Sequence, residues 1–189
     1  MAKSDIKDFN ANDRIDVRLI ESGVHYLAGE ISEATITPVI KWIIYENLNQ
    51  QTKNLTLYIN SMGGDLYQAF ALIDIMRSSK LPIRTIGLGS IMSAAFLIFA
   101  SGTKGMRYIA PNTGIMCHQF SDAQEGKYHD IKAQIVESDN CNRRMLEVLK
   151  EATGLPVNSI KSKLLPASDV YLTADELVKL KVADGILNF

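Results

Sequence analysis

The chain has 189 residues, of which 47% are hydrophobic and 22% are charged, and its net charge is −1. This length fits one domain with a substantial core. Nucleic-acid-binding proteins typically carry a basic surface, and the near-neutral net charge of this chain does not indicate one. We therefore expect no nucleic-acid partner. The two cysteines, Cys117 and Cys141, fit neither a disulfide framework nor a metal-ligand spacing. Cys117 lies in an apolar run, which is typical of a core residue, and we expect no metal and no organic cofactor.

The apolar segments also bear on where the protein is found. The first residues contain no long apolar stretch of the kind found in signal peptides. The most apolar stretch, residues 86–100, is interrupted by glycine and serine and is too short to span a bilayer. We therefore expect no membrane partner and a cytoplasmic location.

The predicted elements alternate between strands and helices along the chain. The first 14 residues are mostly polar and predict a mobile N-terminal arm. Alternating or clustered apolar residues predict strands at 17–20, 24–28, 55–60, 83–88, 107–109, 115–118 and 182–187. Apolar residues at helical spacing predict helices at 36–48, 66–76, 93–100 and 130–153, and after Thr173. This alternation predicts an α/β domain.

Gly63 and Gly64 lie at the first strand-to-helix junction that could carry chemistry. Glycines there allow a tight turn and leave backbone N–H groups free at a helix N-terminus, where negative charge is stabilised. The alternative is a tight turn that binds nothing. The chain contains neither of the glycine-rich phosphate-binding motifs.

Ser93 lies at the second junction, between a strand and an apolar helix. A serine on such a turn is typical of the nucleophile of a hydrolase. The glycines that usually flank that nucleophile are replaced by Ile91 and Ala95. The alternative interpretation is a serine that caps the helix N-terminus.

A nucleophilic serine needs a base, and the chain has three histidines, His25, His118 and His129. We predict that His25 and His129 are surface residues, because one lies in an alternating strand and the other in a polar segment. His118 ends an apolar run, and parallel α/β sheets place their sites at such strand ends. On this pattern alone it is either a core histidine or a catalytic base.

Five segments, taken in order, resemble the ClpP peptidase family, and the resemblance extends from about residue 14 to residue 188. They read LYINSMGG at 57–64, GSIMS at 89–93, KGMR with a following PN at 104–112, MCHQ at 116–119 and DVYLTA at 169–174. The resemblance implies that Ser93 is the nucleophile of a serine endopeptidase and His118 its general base. Asp169 would orient the imidazole, and the backbone N–H groups of Gly63 and Ala94 would form the oxyanion hole.

The resemblance also implies how substrate binds and how subunits assemble. Substrate would lie as an added strand along Gly64, Asp65, Gln119 and Phe120. Seven subunits would form a ring, and two such rings would stack into a closed chamber. A Clp-type AAA+ unfoldase would feed unfolded polypeptides into this chamber in an ATP-dependent manner.

The fold implied by the resemblance is the ClpP/crotonase-like spiral of ββα units with a protruding handle helix. Residues 1–14 would be an arm at the axial pore, and residues 15–118 and 155–189 would be the head domain. Residues 119–154 would be the handle, made of a strand segment and a long helix.

Five positions depart from the usual family pattern, namely Met62, Asp65, Ala95, Phe120 and Ser168. They lie around the turns, the substrate strand and the ring contact, so they affect whether an isolated subunit is active. One alternative is therefore a non-catalytic ring subunit of the same family. A crotonase-type enzyme acting on acyl-CoA is a second alternative, but it usually needs a glutamate near the second junction, where residues 91–95 offer none.

Overall fold

The computed structural model describes residues 10–49 and 52–188, and these form seven strands and seven helices. The strands are β1 (Val24–Ala28), β2 (Leu55–Ser61), β3 (Ile83–Met92), β4 (Arg107–Ile109), β5 (Gly114–Cys117), β6 (Val170–Leu172) and β7 (Gly185–Ile186). The helices are α1 (Ala11–Glu21), α2 (Glu33–Asn49), α3 (Leu66–Ser78), α4 (Ala94–Ala100), α5 (Tyr128–Thr153), α6 (Val157–Lys163) and α7 (Ala174–Lys179). The predicted α/β class is confirmed.

One sheet carries the fold, with parallel strands in the order β1-β2-β3-β4-β7. β5 pairs in parallel with the end of β3, and β6 pairs antiparallel with β5. Every second residue of β2 is buried against the helices, as the alternating side-chain directions of a strand require. Helix α4 is buried along its whole length. The most apolar stretch, residues 86–100, therefore contains the end of β3 and the core helix α4, and no helix of the described residues is long and apolar enough to cross a bilayer.

Strand β3 changes its partner part-way along its length, and this change places the candidate site. Residues 85–87 pair with β4, whereas residues 90–92 pair with β5. An irregularity lies between these two parts, where the register with β2 also shifts. The end of β3 therefore lies beside the end of β5.

The strand predicted at residues 17–20 is wrong, because these residues belong to helix α1. The Asn10 side chain accepts a hydrogen bond from the Asp13 N–H at 2.9 Å and caps the helix. Ile15 and Leu19, four residues apart, share one helix face. The helix also includes residues 11–14 of the predicted arm, whereas residues 1–9 lie outside the described residues.

The long helix predicted at residues 130–153 is present as α5. Its buried side chains begin at Cys141, so the first half of the helix buries none. The strand segment predicted before it is not formed, because residues 118–127 contain neither helix nor strand. The Phe120 N–H donates instead to Asn142 Oδ1 of α5 at 2.8 Å. Helix α6 was not predicted, since Ile160 is its only buried residue.

Candidate active site

Ser93 lies between β3 and α4 in a backbone conformation that is rare for any residue other than glycine. Its φ is 52° and its ψ is −122°, and such conformations cluster at functional sites. The Ser93 N–H donates to Met116 O at 3.0 Å, and the Phe96 N–H donates to Ser93 O at 3.0 Å. The Ser93 side chain makes no capping hydrogen bond to α4. The turn therefore directs Oγ away from the helix, and the capping alternative is not observed.

His118 follows β5 directly, and its side chain contacts the Ser93 side chain. The Nε2 atom of His118 is 2.7 Å from Ser93 Oγ, which is a hydrogen-bond distance. The contact follows from the sheet, because Met92 and Met116 are paired in the parallel register of β3 and β5. The side chain of His118 is 20% exposed, so the pair lies at the protein surface with one side open.

The other two histidines lie away from this contact. His25 is half-buried, with its ring centroid 5.3 Å from that of Trp42, so its predicted surface position is wrong. Burial lowers the pKa of His25. His129 is exposed and packs edge-on against Tyr128. Only His118 therefore reaches a serine hydroxyl in the described part of the chain.

Asp169 lies next to His118 across the antiparallel ladder of β5 and β6. Val170, the first residue of β6, pairs with Cys117. Asp169 and His118 each lie one position beyond this pair. Asp169 Oδ1 is 4.0 Å from His118 Nδ1, and the Asp169 side chain is 55% exposed. The distance is too long for a hydrogen bond. The structure therefore brings the three predicted residues together but leaves the acid at ion-pair distance.

Gly63 packs directly against Ser93. Its φ is 104°, and a Cβ there would lie 2.7 Å from the Cβ of Ser93, so only glycine fits. However, the Gly63 N–H donates to Ser61 Oγ at 3.1 Å. The N–H predicted for the oxyanion hole is therefore already hydrogen-bonded inside the chain.

Gly64 and Ala94 each have an unpaired N–H group at this junction. Neither N–H has an acceptor within residues 10–49 and 52–188. Ala94 is the first residue of α4, where helix geometry leaves the N–H groups free. The turn that carries Gly64 is clamped to Ile31, whose N–H donates to Gly63 O at 2.8 Å and whose O accepts from the Asp65 N–H at 2.7 Å.

A cavity of about 220 Å³ opens beside Ser93 and His118. Leu66, Phe120 and Met145 give it an apolar wall, and Gly64, Ala94 and Gln119 also line it. Sequence analysis missed Leu66 and Met145, which look like ordinary core positions of their helices. The cavity can therefore accept an apolar side chain next to the serine hydroxyl.

Two residues predicted to bind substrate make structural hydrogen bonds. Asp65 caps α3, because its Oδ1 accepts from the N–H groups of Tyr67 at 2.8 Å and Gln68 at 3.2 Å. The Gln119 side chain donates to Leu165 O at 2.9 Å while also lining the cavity. The Asp65 carboxylate is therefore committed to its own helix.

Cys117 does not compete with Ser93 as a nucleophile. Its side chain is fully buried, and burial raises the pKa of its thiol to about 12. In the described residues no group of three or more His, Cys, Asp or Glu side chains could hold a metal ion.

Comparison with known families decides the identity of the chain. A family model described as Clp protease matches residues 8–188. The chain belongs to the Clp protease family. Membership of the Clp protease family supports a ClpP-type peptidase, and it agrees with the α/β fold and with the serine at the β3–α4 turn.

Proposed function

We propose that this Clp protease family member is a serine endopeptidase in which Ser93 is the nucleophile and His118 the general base. The observation that carries the proposal is the 2.7 Å contact between Ser93 Oγ and His118 Nε2, made by a serine in a strained turn. At this distance the imidazole can accept the hydroxyl proton as Oγ attacks a peptide carbonyl.

The reaction follows from these positions. Attack forms the Oγ–C bond and moves the hydroxyl proton to His118 Nε2, and the carbonyl oxygen becomes negatively charged. The imidazolium then protonates the leaving amine as the C–N bond breaks, which leaves an acyl ester on Ser93. Water, deprotonated by His118, attacks this ester and releases the carboxylate product and the free serine.

We propose that the Ala94 and Gly64 N–H groups stabilise the oxyanion. Both are unpaired among the described residues, and both residues line the cavity beside Ser93. Gly64 thus takes the oxyanion-hole role that the resemblance implies for Gly63, because the Gly63 N–H already donates to Ser61 Oγ. Donors that are fixed before the reaction stabilise the developing charge without reorganisation.

Asp169 is proposed as the acidic member of the triad. For His118 Nε2 to accept a proton, Nδ1 must carry a hydrogen, and Nδ1 is the ring atom that faces Asp169. At 4.0 Å the carboxylate acts on the imidazolium through its charge. A hydrogen bond that also orients the ring would require the two atoms to approach by about 1 Å.

The substrates proposed are unfolded polypeptides bound in extended form. Residues 119–127 follow His118 without any strand partner, and Gly64 lines the same cavity as Gln119 and Phe120. An extended peptide between these two segments could pair with both backbones. The apolar wall formed by Leu66, Phe120 and Met145 favours an apolar side chain beside the cleaved bond.

We also propose that the chain works in an oligomeric ring, either single or stacked as a double ring, which is fed by a Clp-type AAA+ unfoldase in the cytoplasm. Exposed apolar side chains on α2 support a subunit contact, since Ile44 is 45%, Tyr45 57% and Leu48 80% exposed. The first half of α5, which buries no side chain within the chain, supports the proposed handle.

The second candidate function is a non-catalytic subunit of such a ring. One observation favours it, namely the 4.0 Å separation of Asp169 Oδ1 from His118 Nδ1. This candidate predicts normal assembly without peptide hydrolysis.

Hydrolysis of a fluorogenic peptide by the purified chain separates the two candidates. We expect wild type to cleave the peptide and Ser93→Ala and His118→Ala to fall to background, because each removes one partner of the proton transfer. Size-exclusion chromatography of each variant should show the wild-type assembly. A Ser93→Ala variant with wild-type turnover would exclude the proposed nucleophile.

A further inference from the structure

A bulge in β3 lies opposite a single residue of β2, Asn60. Ile59 of β2 pairs with Gly87, whereas Ser61 pairs with Ile91. Three residues of β3, numbers 88–90, therefore face one residue of β2. Such a bulge leaves the backbone groups of the extra residues without ladder partners.

The Asn60 side chain binds this bulge directly. Its Oδ1 accepts hydrogen bonds from the Ser90 N–H at 3.0 Å and from the Ser90 hydroxyl at 3.2 Å. Its Nδ2 donates to Tyr26 Oη at 3.3 Å, which ties the amide to β1 as well. The carboxamide therefore supplies an acceptor that the partner strand cannot offer to the extra residues.

Gly89 allows this close approach. Its φ is 66°, and a Cβ at this position would lie 2.4 Å from Asn60 Oδ1. Any other residue would displace the carboxamide, besides being strained at this φ. Asn60 and Gly89 therefore form one unit that defines the shape of the bulge.

The bulge is also the point at which β3 transfers from β4 to β5. Residues 85–87 pair with β4, and Ser90, Ile91 and Met92 pair with Gly114, Ile115 and Met116. Ser90, the residue bound by Asn60, is the first residue in the new register. Ser93 follows three residues later, and its N–H continues that register by donating to Met116 O.

We propose that Asn60 is a positioning residue, whose carboxamide fixes the register of β3 on β5 and thereby the contact between Ser93 Oγ and His118 Nε2. The inference rests on the proposed function, because it assigns Asn60 a role in activating Ser93. Asn60 does not touch the reacting atoms itself. It acts through Ile91 and Met92, the two residues that connect Ser90 to Ser93.

The test compares peptide hydrolysis by wild type, Asn60→Ala, Asn60→Asp and Thr85→Val. Asn60→Ala removes the acceptor, whereas Asn60→Asp keeps an oxygen at the Oδ1 position. Thr85→Val is the matched control. Thr85 lies in β3, like the bulge but outside it, and the substitution removes a buried hydrogen bond from the Thr85 hydroxyl to Phe99 O. Melting temperature and assembly are measured for every variant.

We expect kcat of Asn60→Ala to fall about 10- to 100-fold with KM within about twofold, since small displacements of reacting groups have effects of this size. Asn60→Asp should return kcat to within about threefold of wild type, and Thr85→Val should match wild type. Wild-type kcat in Asn60→Ala would overturn the proposal, as would an equal loss in folded Asn60→Asp. If Asn60→Ala does not fold, Asn60→Thr, which suits a strand but does not reach Ser90, takes its place with the same expectations.

A crystal structure of Asn60→Ala separates this proposal from the proposed function. We expect the distance from Ser93 Oγ to His118 Nε2 to exceed 3.5 Å, the limit of a hydrogen bond. An unchanged 2.7 Å contact would overturn the positioning role whatever the activity. Activity in Ser93→Ala would instead overturn the proposed function and leave this distance test valid.

Discussion

Asp169, the proposed acidic member of the triad, gives the sharpest quantitative prediction. Asp169→Asn removes the carboxylate charge but keeps the shape of the side chain. In the structure that carboxylate lies 4.0 Å from His118 Nδ1 and its side chain is 55% exposed. Its effect on catalysis should therefore be electrostatic, because no hydrogen bond is lost at this distance.

The size of the effect follows from the distance and the exposure. Two unit charges 4 Å apart interact by about 1 kcal/mol in water and about 4 kcal/mol at an effective dielectric constant of 20. The half-exposed Asp169 favours the lower part of this range, about 1–2 kcal/mol. We expect kcat/KM of Asp169→Asn to fall about 5- to 30-fold. A hydrogen-bonded orienting aspartate would instead contribute about 10⁴-fold.

The assay is steady-state hydrolysis of a fluorogenic peptide at neutral pH and fixed ionic strength. Asp175→Asn serves as the matched control, because it removes one negative charge at the start of α7, outside the site, and should leave kcat/KM unchanged. Unchanged kcat/KM in Asp169→Asn would refute any role for this carboxylate. A loss near 10⁴-fold would refute the 4.0 Å geometry in the working enzyme and indicate that the pair closes during catalysis.

Three further outcomes are expected. Gly63→Ala should abolish peptide hydrolysis, because the new Cβ would lie 2.7 Å from the Cβ of Ser93. Burial of Asp184 opposes its ionisation, but hydrogen bonds from Arg107 outweigh this and lower the pKa of Asp184. Asp184→Asn leaves the buried Arg107 charge uncompensated and should cost about 3 kcal/mol at neutral pH, or roughly 6–12 °C in Tm at fixed protein concentration. This stabilisation is lost as pH falls below about 4, so the stabilities of variant and wild type should converge in acid; a constant difference would contradict it. Cys117 should resist Ellman's reagent in the native protein and react once the protein is denatured, whereas rapid native modification would contradict its burial.

The body of the fold could be predicted from the sequence because its signals are local. Buried strands such as β2 and the apolar helix α4 carry strong patterns that the structure reproduces. The strand predicted at residues 17–20 is wrong because the alternation of apolar Val17 and Leu19 with their neighbours resembles a strand pattern. The cap at Asn10 and the spacing of Ile15 and Leu19 on one face favour the helix that forms. Helix α6 could not be predicted, because its one buried residue, Ile160, produces no helical repeat of apolar residues.

The candidate site could be predicted only in part, for a physical reason. Ser93 and His118 end neighbouring parallel strands, so their meeting follows from the topology. The resemblance implies that Gly63 supplies the oxyanion-hole N–H group, but the orientation of an N–H group depends on backbone dihedral angles that the sequence does not specify. A single asparagine in a strand, such as Asn60, gives no pattern until the opposing bulge is seen.

The most direct test of the central claim is covalent labelling of the nucleophile. Wild type and Ser93→Ala are treated with a fluorophosphonate, and the intact mass of each chain is measured. The account predicts one adduct per wild-type chain and none on Ser93→Ala, because the proposed general base His118 contacts the Ser93 hydroxyl at 2.7 Å and no other described serine contacts a histidine. An adduct on Ser93→Ala, or an assembled wild type that takes up no label, would contradict it.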